Sequence, residues 1–240
     1  MSETILVTGA SAGFGQAICR RLVADGYRVI GSARRIDKLH ALQEELGEAF
    51  YPLQMDVTDL SQVDHALASL PKAWERVDVL VNNAGLALGL APAYEAEIAD
   101  WLTMIQTNIV GLTYLTRKIL PQMVERNDGY IINLGSTAGT VPYPGANVYG
   151  ASKAFVKQFS LNLRADLAGK KIRVSNIEPG LCEGTEFSSI RFKGDEKRVE
   201  ALYRGAHAIQ PEDIANTVAW LIQQPKHVNV NRIEIMPVSQ

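Results

Sequence analysis

The chain has 240 residues, of which 47% are hydrophobic and 21% are charged, so we expect one sizeable α/β domain rather than a disordered chain. The 24 lysines and arginines nearly balance the 26 aspartates and glutamates. A net charge of -2 gives no electrostatic reason to expect nucleic acid or an anionic membrane as a partner.

Cysteine usage and the N-terminus indicate the cellular compartment. The two cysteines, Cys19 and Cys182, suit a reduced compartment and a fold without disulfides. The first residues lack a basic region and lead directly into a strand pattern, so we expect no signal peptide. No apolar run approaches the roughly 20 residues of a membrane-spanning helix. These features predict a soluble, cytoplasmic protein that does not bind membranes.

The first predicted elements form a candidate phosphate site. The β-branched run 4–8 predicts a strand buried on both faces of a parallel sheet, and a helix is predicted from about 16 to 25. Between them lies a turn in which Gly9, Gly13 and Gly15 have GxxxGxG spacing. Backbone N–H groups and the dipole at a helix N-terminus attract a pyrophosphate, and glycines allow its close approach. An ordinary glycine turn is the alternative.

The end of the second predicted strand, 28–33, indicates which dinucleotide is bound. In dinucleotide-binding folds, an acidic residue here holds the ribose 2′-hydroxyl of NAD, whereas a basic residue accommodates the 2′-phosphate of NADP. The chain has no acid at this place and continues with Arg34 and Arg35. Guanidinium groups match phosphate geometry, so we predict NADP(H). A pair of solvated arginines is the alternative.

Strands and helices alternate through the rest of the chain. Further strands are predicted at 50–54, 77–81, 130–134, 172–177 and 231–235, and helices at 36–46, 59–70, 97–108, 110–126, 147–167 and 211–223. This alternation predicts a doubly wound parallel sheet of about seven strands, flanked by helices, in a single domain spanning 1–240. The carboxyl ends of such strands, where open sheets bind ligands, carry Gly9, Arg34, Asp56, Asn83, Ser136 and Pro179.

Tyr149 and Lys153 form a candidate acid/base pair. They are four residues apart in the predicted helix 147–167, which places both on one helix face with Cβ atoms about 5–6 Å apart. An ammonium beside a phenol favours the phenolate, so we expect Lys153 to lower the pKa of Tyr149 from about 10. Ser136 ends the fifth strand and can bring its hydroxyl to the same place. A surface tyrosine near a surface lysine is the alternative for this spacing alone.

Together, these motifs resemble those of the short-chain dehydrogenase/reductases, from Ile5 to Pro237. The matching residues are Thr8-Gly9-xxx-Gly13-x-Gly15, Asn82-Asn83-Ala84-Gly85, Asn108, Ser136, Tyr149-xxx-Lys153 and Pro179-Gly180. The resemblance implies an NADP-dependent oxidoreductase with a Rossmann-type, three-layer α/β/α fold and the catalytic tetrad Asn108, Ser136, Tyr149 and Lys153. It also implies a homotetramer, because members of this family are usually tetramers.

The same resemblance implies a role for each candidate residue. Tyr149 exchanges a proton with the substrate oxygen, which Ser136 hydrogen-bonds. Lys153 lowers the pKa of Tyr149 and holds the nicotinamide ribose, and Asn108 holds a water that links Lys153 to solvent. The residues implied to bind the cofactor are Gly9, Ser11, Gly13, Phe14, Gly15, Arg34, Arg35, Asp56, Val57, Asn83, Ala84, Gly85, Tyr149, Lys153, Pro179, Gly180 and Leu181.

The run 179–195 is similar to that of the NADP-dependent 3-hydroxy acid dehydrogenases. That subgroup includes serine and L-allo-threonine dehydrogenases that also reduce malonic semialdehyde, so the resemblance implies a small 3-hydroxy acid or its semialdehyde as substrate. Sulfoacetaldehyde reductases are also similar, and a broader aldehyde or ketone reductase is a further alternative. A non-catalytic NADPH-binding regulator is the alternative from another class, against which the intact tetrad argues.

The segment 185–210 is charged and weakly periodic, which predicts a mobile lid over the substrate. We hypothesise that Arg191 or Lys193 of this lid binds the acid group of the substrate, and that Tyr143 forms a wall of the pocket. A solvated lid surface is the alternative for each basic residue.

Two further features of the sequence concern the cofactor loop and metals. The family often has a threonine five residues after Pro179, where this chain has Gly184, and Thr185 follows one residue later, so the role of Thr185 stays open. The histidines are scattered and form no zinc pattern, so we predict no metal.

Overall fold

The computed structural model describes residues 3–239 and contains one seven-stranded parallel sheet of order β3-β2-β1-β4-β5-β6-β7. The strands are β1 Thr4–Thr8, β2 Arg28–Ala33, β3 Phe50–Gln54, β4 Val79–Asn82, β5 Gly129–Leu134, β6 Ile172–Pro179 and β7 Arg232–Ile235. The strand order reverses between β1 and β4, which creates a crevice at the carboxyl ends of these two strands. The predicted doubly wound sheet is therefore confirmed.

Nine helices are found among the described residues. They are α1 Gly13–Ala24, α2 Ile36–Leu46, α3 Leu60–Ala68, α4 Ile98–Ile105, α5 Leu112–Arg126, α6 Asn147–Asp166, α7 Phe187–Arg191, α8 Glu196–Tyr203 and α9 Pro211–Gln223. Helices α1, α2 and α9 share one apolar cluster with the sheet, and α3, α5 and α6 share another. Alternate strand residues serve the two clusters: Ile5 belongs to the first and Leu6 to the second. The three-layer arrangement is thus confirmed.

The structure differs from the predicted element boundaries in three places. Helix α1 begins at Gly13 instead of about residue 16. A π-helical turn, Gln106–Gly111, joins α4 and α5 inside the long helical region that was predicted as 97–108 and 110–126. The last residue of this turn is Gly111, and a larger residue would not fit there, because a Cβ would lie 2.7 Å from the Val57 carbonyl oxygen. The weakly periodic lid forms two short helices, α7 and α8.

Between residues 3 and 239, none of the helices has the length and apolar character needed to cross a membrane.

Candidate active site

A cavity of about 560 Å³ lies at the carboxyl ends of the strands. All the residues implied to bind the cofactor line this cavity, with the exception of Gly15. Ser136, Tyr143 and Arg191 line it as well, whereas Asn108 and Lys193 do not. The tertiary structure therefore brings most of the predicted site residues to one place. Gly15, Asn108 and Lys193 lie outside the lining of the cavity.

The glycine-rich turn presents the N-terminus of α1 to the cavity. Ala12, at the N-cap of α1, provides no side-chain hydrogen bond, so the first-turn N–H groups of this helix have no capping side chain. Gly13 adopts a φ of 52°, and a Cβ on Gly15 would overlap the Gly9 carbonyl oxygen. Gly15 thus packs beneath the turn and shapes it, which is why it does not line the cavity. Such an uncapped helix N-terminus suits a pyrophosphate.

Hydrogen bonds hold together the turns that follow β1 and β4. The Thr8 hydroxyl accepts hydrogen bonds from the N–H groups of Asn83 and Ala84, at 3.0 and 2.9 Å. The Asn83 side chain donates to the Thr8 carbonyl at 2.7 Å. The floor of the cavity is therefore braced at the point where the strand order reverses.

A cationic corner follows β2. Arg34 and Arg35 are both exposed and line the cavity. The Arg35 guanidinium donates to the Ser11 hydroxyl from Nε and Nη2, at 3.2 and 3.0 Å. It also forms a two-point ion pair with Glu186, with donor–acceptor distances of 3.0 and 2.8 Å. Together with the N-terminus of α1, this corner has the chemistry needed to hold a phosphorylated dinucleotide.

Three predicted catalytic groups meet at the start of α6. Tyr149 and Lys153 are buried, with exposed fractions of 8% and 7%. The Lys153 ammonium lies 5.9 Å from the centroid of the Tyr149 ring and donates to the Leu134 carbonyl at 2.8 Å. Ser136 hydrogen-bonds to the Tyr149 side chain. This arrangement can transfer a proton to or from an oxygen atom placed beside Tyr149.

The prediction that the pKa of Tyr149 is lowered is wrong. Burial raises the pKa of Tyr149 to about 12, although the hydrogen bond from Ser136 and the charge of Arg191 act in the opposite direction. Burial lowers the pKa of Lys153 to about 8. The spacing of the two residues predicted their proximity, but it could not predict how completely the fold removes them from water.

Asn108 acts as a brace in the structure. It is 1% exposed and lies in the π-helical turn, a feature that is frequent at functional sites. Its Nδ2 donates to the Leu86 carbonyl at 2.9 Å and to the Ser152 hydroxyl at 3.0 Å, while its Oδ1 accepts from the Leu86 N–H at 3.0 Å. Ser152 in turn donates to the Tyr149 carbonyl at 2.7 Å. Asn108 thus links the turn after β4 to helix α6, and its implied role in holding a water stays a prediction.

The two basic residues of the lid occupy different environments. Arg191 donates from Nη2 to the Tyr143 hydroxyl at 2.9 Å, and its guanidinium carbon lies 5.5 Å from the centroid of the Tyr149 ring. Lys193 is 57% exposed and pairs with Asp100 at 2.8 Å. Its ammonium is directed to α4, outside the cavity, so the structure favours Arg191 over Lys193 as the ligand of the acid group.

Sequence reasoning missed several lid residues that line the cavity. The Phe187 ring lies 5.7 Å from the Tyr149 ring, and the Tyr203 hydroxyl donates to the Cys182 carbonyl at 2.6 Å. The Thr185 hydroxyl accepts from the Phe187 N–H at 3.2 Å, and a Cβ added to Gly13 would lie 3.1 Å from the Thr185 side chain. Thr185 therefore closes the start of the lid over the glycine-rich turn. Aromatic residues within a charged segment were the only sequence signal for this lining.

Within the described part of the chain, no group of three or more histidine, cysteine, aspartate or glutamate side chains is arranged to hold a metal ion.

Comparison with known proteins places this site in a family. Residues 3–196 match the short chain dehydrogenase family. A protein of Haemophilus influenzae named probable NADP-dependent dehydrogenase is 61% identical over 239 residues, which cover 100% of this chain and 95% of the relative. The NADP-dependent 3-hydroxy acid dehydrogenase of Escherichia coli strain K12 is 56% identical over 236 residues, covering 98% of this chain and 95% of that protein.

A solved structure described as the closed form of serine dehydrogenase complexed with NADP+ superposes with a TM-score of 0.98. It is 55% identical in sequence, and the match covers 99% of this chain and 96% of the other. The resemblance indicated by the motifs is confirmed, and the chain belongs to the short-chain dehydrogenase family.

Proposed function

We propose that this protein is an NADP(H)-dependent oxidoreductase that transfers a hydride between the nicotinamide and a small 3-hydroxy acid or its semialdehyde. The observation that carries the substrate class is the position of Arg191, whose guanidinium carbon lies 5.5 Å from the centroid of the Tyr149 ring. A cation beside a candidate acid/base suits a substrate that carries an acid group near its hydroxyl. The names of the relatives, a 3-hydroxy acid dehydrogenase and a serine dehydrogenase, support this substrate class.

The proposed cofactor fits the part of the cavity between α1 and the cationic corner. The uncapped N-terminus of α1 would hold the pyrophosphate, and Arg34 and Arg35 would hold the 2′-phosphate. NADP+ supplies the hydride acceptor when it is bound. The protein's own task at this end of the cavity is therefore to bind and orient the dinucleotide.

The proton is assigned to Tyr149. In the oxidation direction, the Tyr149 oxygen takes the proton of the substrate hydroxyl as the hydride leaves the carbon, and in reduction it returns that proton. Ser136, which hydrogen-bonds to Tyr149, would hold the same substrate oxygen. Lys153, whose ammonium lies 5.9 Å from the centroid of the Tyr149 ring, would hold the nicotinamide ribose. With Arg191 on the acid group, these contacts would fix the substrate at both ends.

The size of the proposed substrate follows from the lid. Phe187 packs beside Tyr149, and Tyr203 ties α8 to the turn after β6 through the Cys182 carbonyl. These aromatic side chains line the cavity and would enclose a small substrate beside the acid/base group.

The function is tested by following NADP+ reduction at the nicotinamide absorbance with L-serine, L-allo-threonine and 3-hydroxypropionate, and by repeating each assay with NAD+. We expect turnover with NADP+ and much less with NAD+. Faster turnover with NAD+ would contradict the assignment of Arg34 and Arg35.

Isethionate in the same panel tests the second candidate, a sulfoacetaldehyde reductase, because the Arg191 guanidinium can also pair with a sulfonate. Turnover of isethionate alone would move the proposal to sulfonates. Turnover of neutral alcohols alone would favour a broad aldehyde or ketone reductase. Binding of NADPH without turnover of any substrate would instead support a non-catalytic NADPH-binding regulator.

We also propose a homotetramer, as the family resemblance implies. Large apolar side chains are exposed on α6 and α9, including Phe155, Leu161 and Trp220, with exposed fractions of 36%, 40% and 48%. Faces of this kind are typical of association between subunits. Light scattering coupled to gel filtration tests this, and a monomer at micromolar concentration would contradict it.

A further inference from the structure

The ion pair between Arg35 and Glu186 joins two walls of the cavity. Arg35 follows β2 and forms the N-cap of α2, whereas Glu186 forms the N-cap of lid helix α7. Both side chains line the cavity and are about half exposed, at 43% and 48%. The pair therefore stands at the corner where the proposed function places the 2′-phosphate.

The guanidinium of Arg35 is already occupied on two sides. Nη1 and Nη2 donate to the two Glu186 carboxylate oxygens at 3.0 and 2.8 Å, and Nε and Nη2 donate to the Ser11 hydroxyl at 3.2 and 3.0 Å. Only one of the five N–H donors of an arginine is then left. A phosphate can gain a two-point contact with Arg35 only if Ser11 or Glu186 gives up its place.

Charge makes Glu186 the stronger competitor of the two. The hydrogen bond from Arg35 holds the pKa of the Glu186 carboxyl below its usual range, so this group is ionised at neutral pH. A carboxylate beside a phosphate also repels it, whereas the Ser11 hydroxyl can donate a hydrogen bond to it. Among residues 3–239, the Arg34 side chain has no hydrogen bond or ion pair, so it can receive the phosphate first.

We propose that Glu186 is a residue that sets cofactor specificity: its carboxylate competes with the 2′-phosphate of NADP(H) for Arg35 and thereby reduces the preference for the phosphorylated cofactor. This inference rests on the proposed use of NADP(H). It predicts that removal of the Glu186 charge strengthens NADP(H) binding. If the carboxylate instead positioned Arg35 for the phosphate, removal of the charge would weaken NADP(H) binding.

The test is the dissociation constant of NADP+ and of NAD+, measured by calorimetry for the wild type and for Glu186→Gln. Glutamine keeps the size of the side chain and an acceptor for Arg35 but removes the charge. We expect Glu186→Gln to bind NADP+ about two- to fivefold more tightly, which is the range for an exposed ion pair, and to bind NAD+ unchanged. Unchanged or weaker binding of NADP+ would overturn the proposal, and so would equal tightening of both cofactors.

The matched control is Glu45→Gln. Glu45 also accepts a two-point contact, from Nε and Nη2 of Arg20 at 2.7 and 2.8 Å. Arg20 and Glu45 are 45% and 47% exposed and lie outside the cavity. We expect no change in either dissociation constant. The same tightening in the control would show a general effect of net charge and overturn the proposal.

Failure of the proposed function and failure of this inference give different results. A wild type that does not bind NADP+ overturns the proposed function and this inference with it. A wild type that binds NADP+, together with an unaffected Glu186→Gln, overturns this inference alone.

Discussion

The floor of the cavity and its lid are held in place by different kinds of contact. At and beneath the floor, Asn108, Tyr149 and Lys153 are between 1% and 8% exposed, and the hydrogen bonds of Asn108 and Lys153 reach main-chain groups or another buried side chain. In the lid, Ser188 is the only buried residue of α7, and α8 has none. The lid is held to the rest of the protein by ion pairs with an exposed member, such as Lys193–Asp100, and by the hydrogen bond from the Tyr203 hydroxyl to the Cys182 carbonyl.

This difference separates chemistry from specificity. A buried hydrogen bond is costly to lose, because the partner that remains is left without water, whereas an exposed ion pair contributes about 0–1 kcal/mol. The floor can therefore keep one catalytic geometry even if contacts of the predicted lid are lost or its sequence changes. On this view, substitutions on the floor have larger effects than substitutions of the lid contacts.

Replacing Tyr149 by Phe gives the largest expected effect. The ring can still pack beside Phe187, but the group that exchanges the proton is lost. We expect kcat/KM to fall by about 10²–10⁴-fold, the usual contribution of a general acid/base, and NADP+ affinity to stay unchanged. Steady-state NADP+ reduction and calorimetry measure the two quantities. Turnover close to that of the wild type would contradict the role of Tyr149.

Replacing Lys153 by Met tests the burial of the floor through pH. Burial lowers the pKa of Lys153 to about 8 from 10.5, so the unfolded chain binds more protons than the folded chain between these values. The stability of the wild type relative to Lys153→Met should therefore rise with pH, by at most about 1.4 kcal/mol per unit. The pKa of Tyr149 is raised to about 12, so above pH 10 the titration of Tyr149 makes the stability of either protein fall as the pH rises.

Urea unfolding of both proteins at pH 7.5, 8.5 and 9.5 measures this difference. If the two free energies of unfolding change in parallel over this range, the result would contradict the burial of Lys153 that the structure shows.

Replacing Arg191 by Ala tests the one charged lid residue that lies beside Tyr149. Loss of a charge-assisted hydrogen bond should raise KM for a 3-hydroxy acid by about 10- to 100-fold. The activity on a small alcohol without an acid group should change little. Steady-state kinetics on both substrates separate the two effects, and an unchanged KM for the acid would rule out Arg191 as its ligand.

Replacing Lys193 by Ala gives the smallest expected effect and is the matched control, since it removes the same charge from the same lid. The Lys193 side chain is 57% exposed, so we expect little change in stability and a KM within about twofold of the wild type. A rise in KM as large as that of Arg191→Ala would instead identify Lys193 as a ligand of the acid group.

Local patterns were sufficient for most of the fold. Parallel strands buried on both faces appear as short apolar runs, so all seven strands were predicted to within a few residues. The element boundaries that were missed depend on packing. The π-helical turn at Asn108 has no distinct sequence pattern, and Gly111 within it packs so closely against Val57 that a Cβ would lie 2.7 Å from the Val57 carbonyl oxygen. The lid helices α7 and α8 are short and bury almost nothing, so they have little periodicity.

The sequence by itself determined the doubly wound sheet, the glycine-rich turn, and the shared helix face of Tyr149 and Lys153, because strand patterns and helical spacing are local properties of the chain. Only the tertiary structure decided that Arg191 enters the cavity while Lys193 does not, that burial raises the pKa of Tyr149, and that Glu186 occupies Arg35. The physical reason is that the behaviour of a charged or titratable group depends on its exposure to water and on partners far away in sequence.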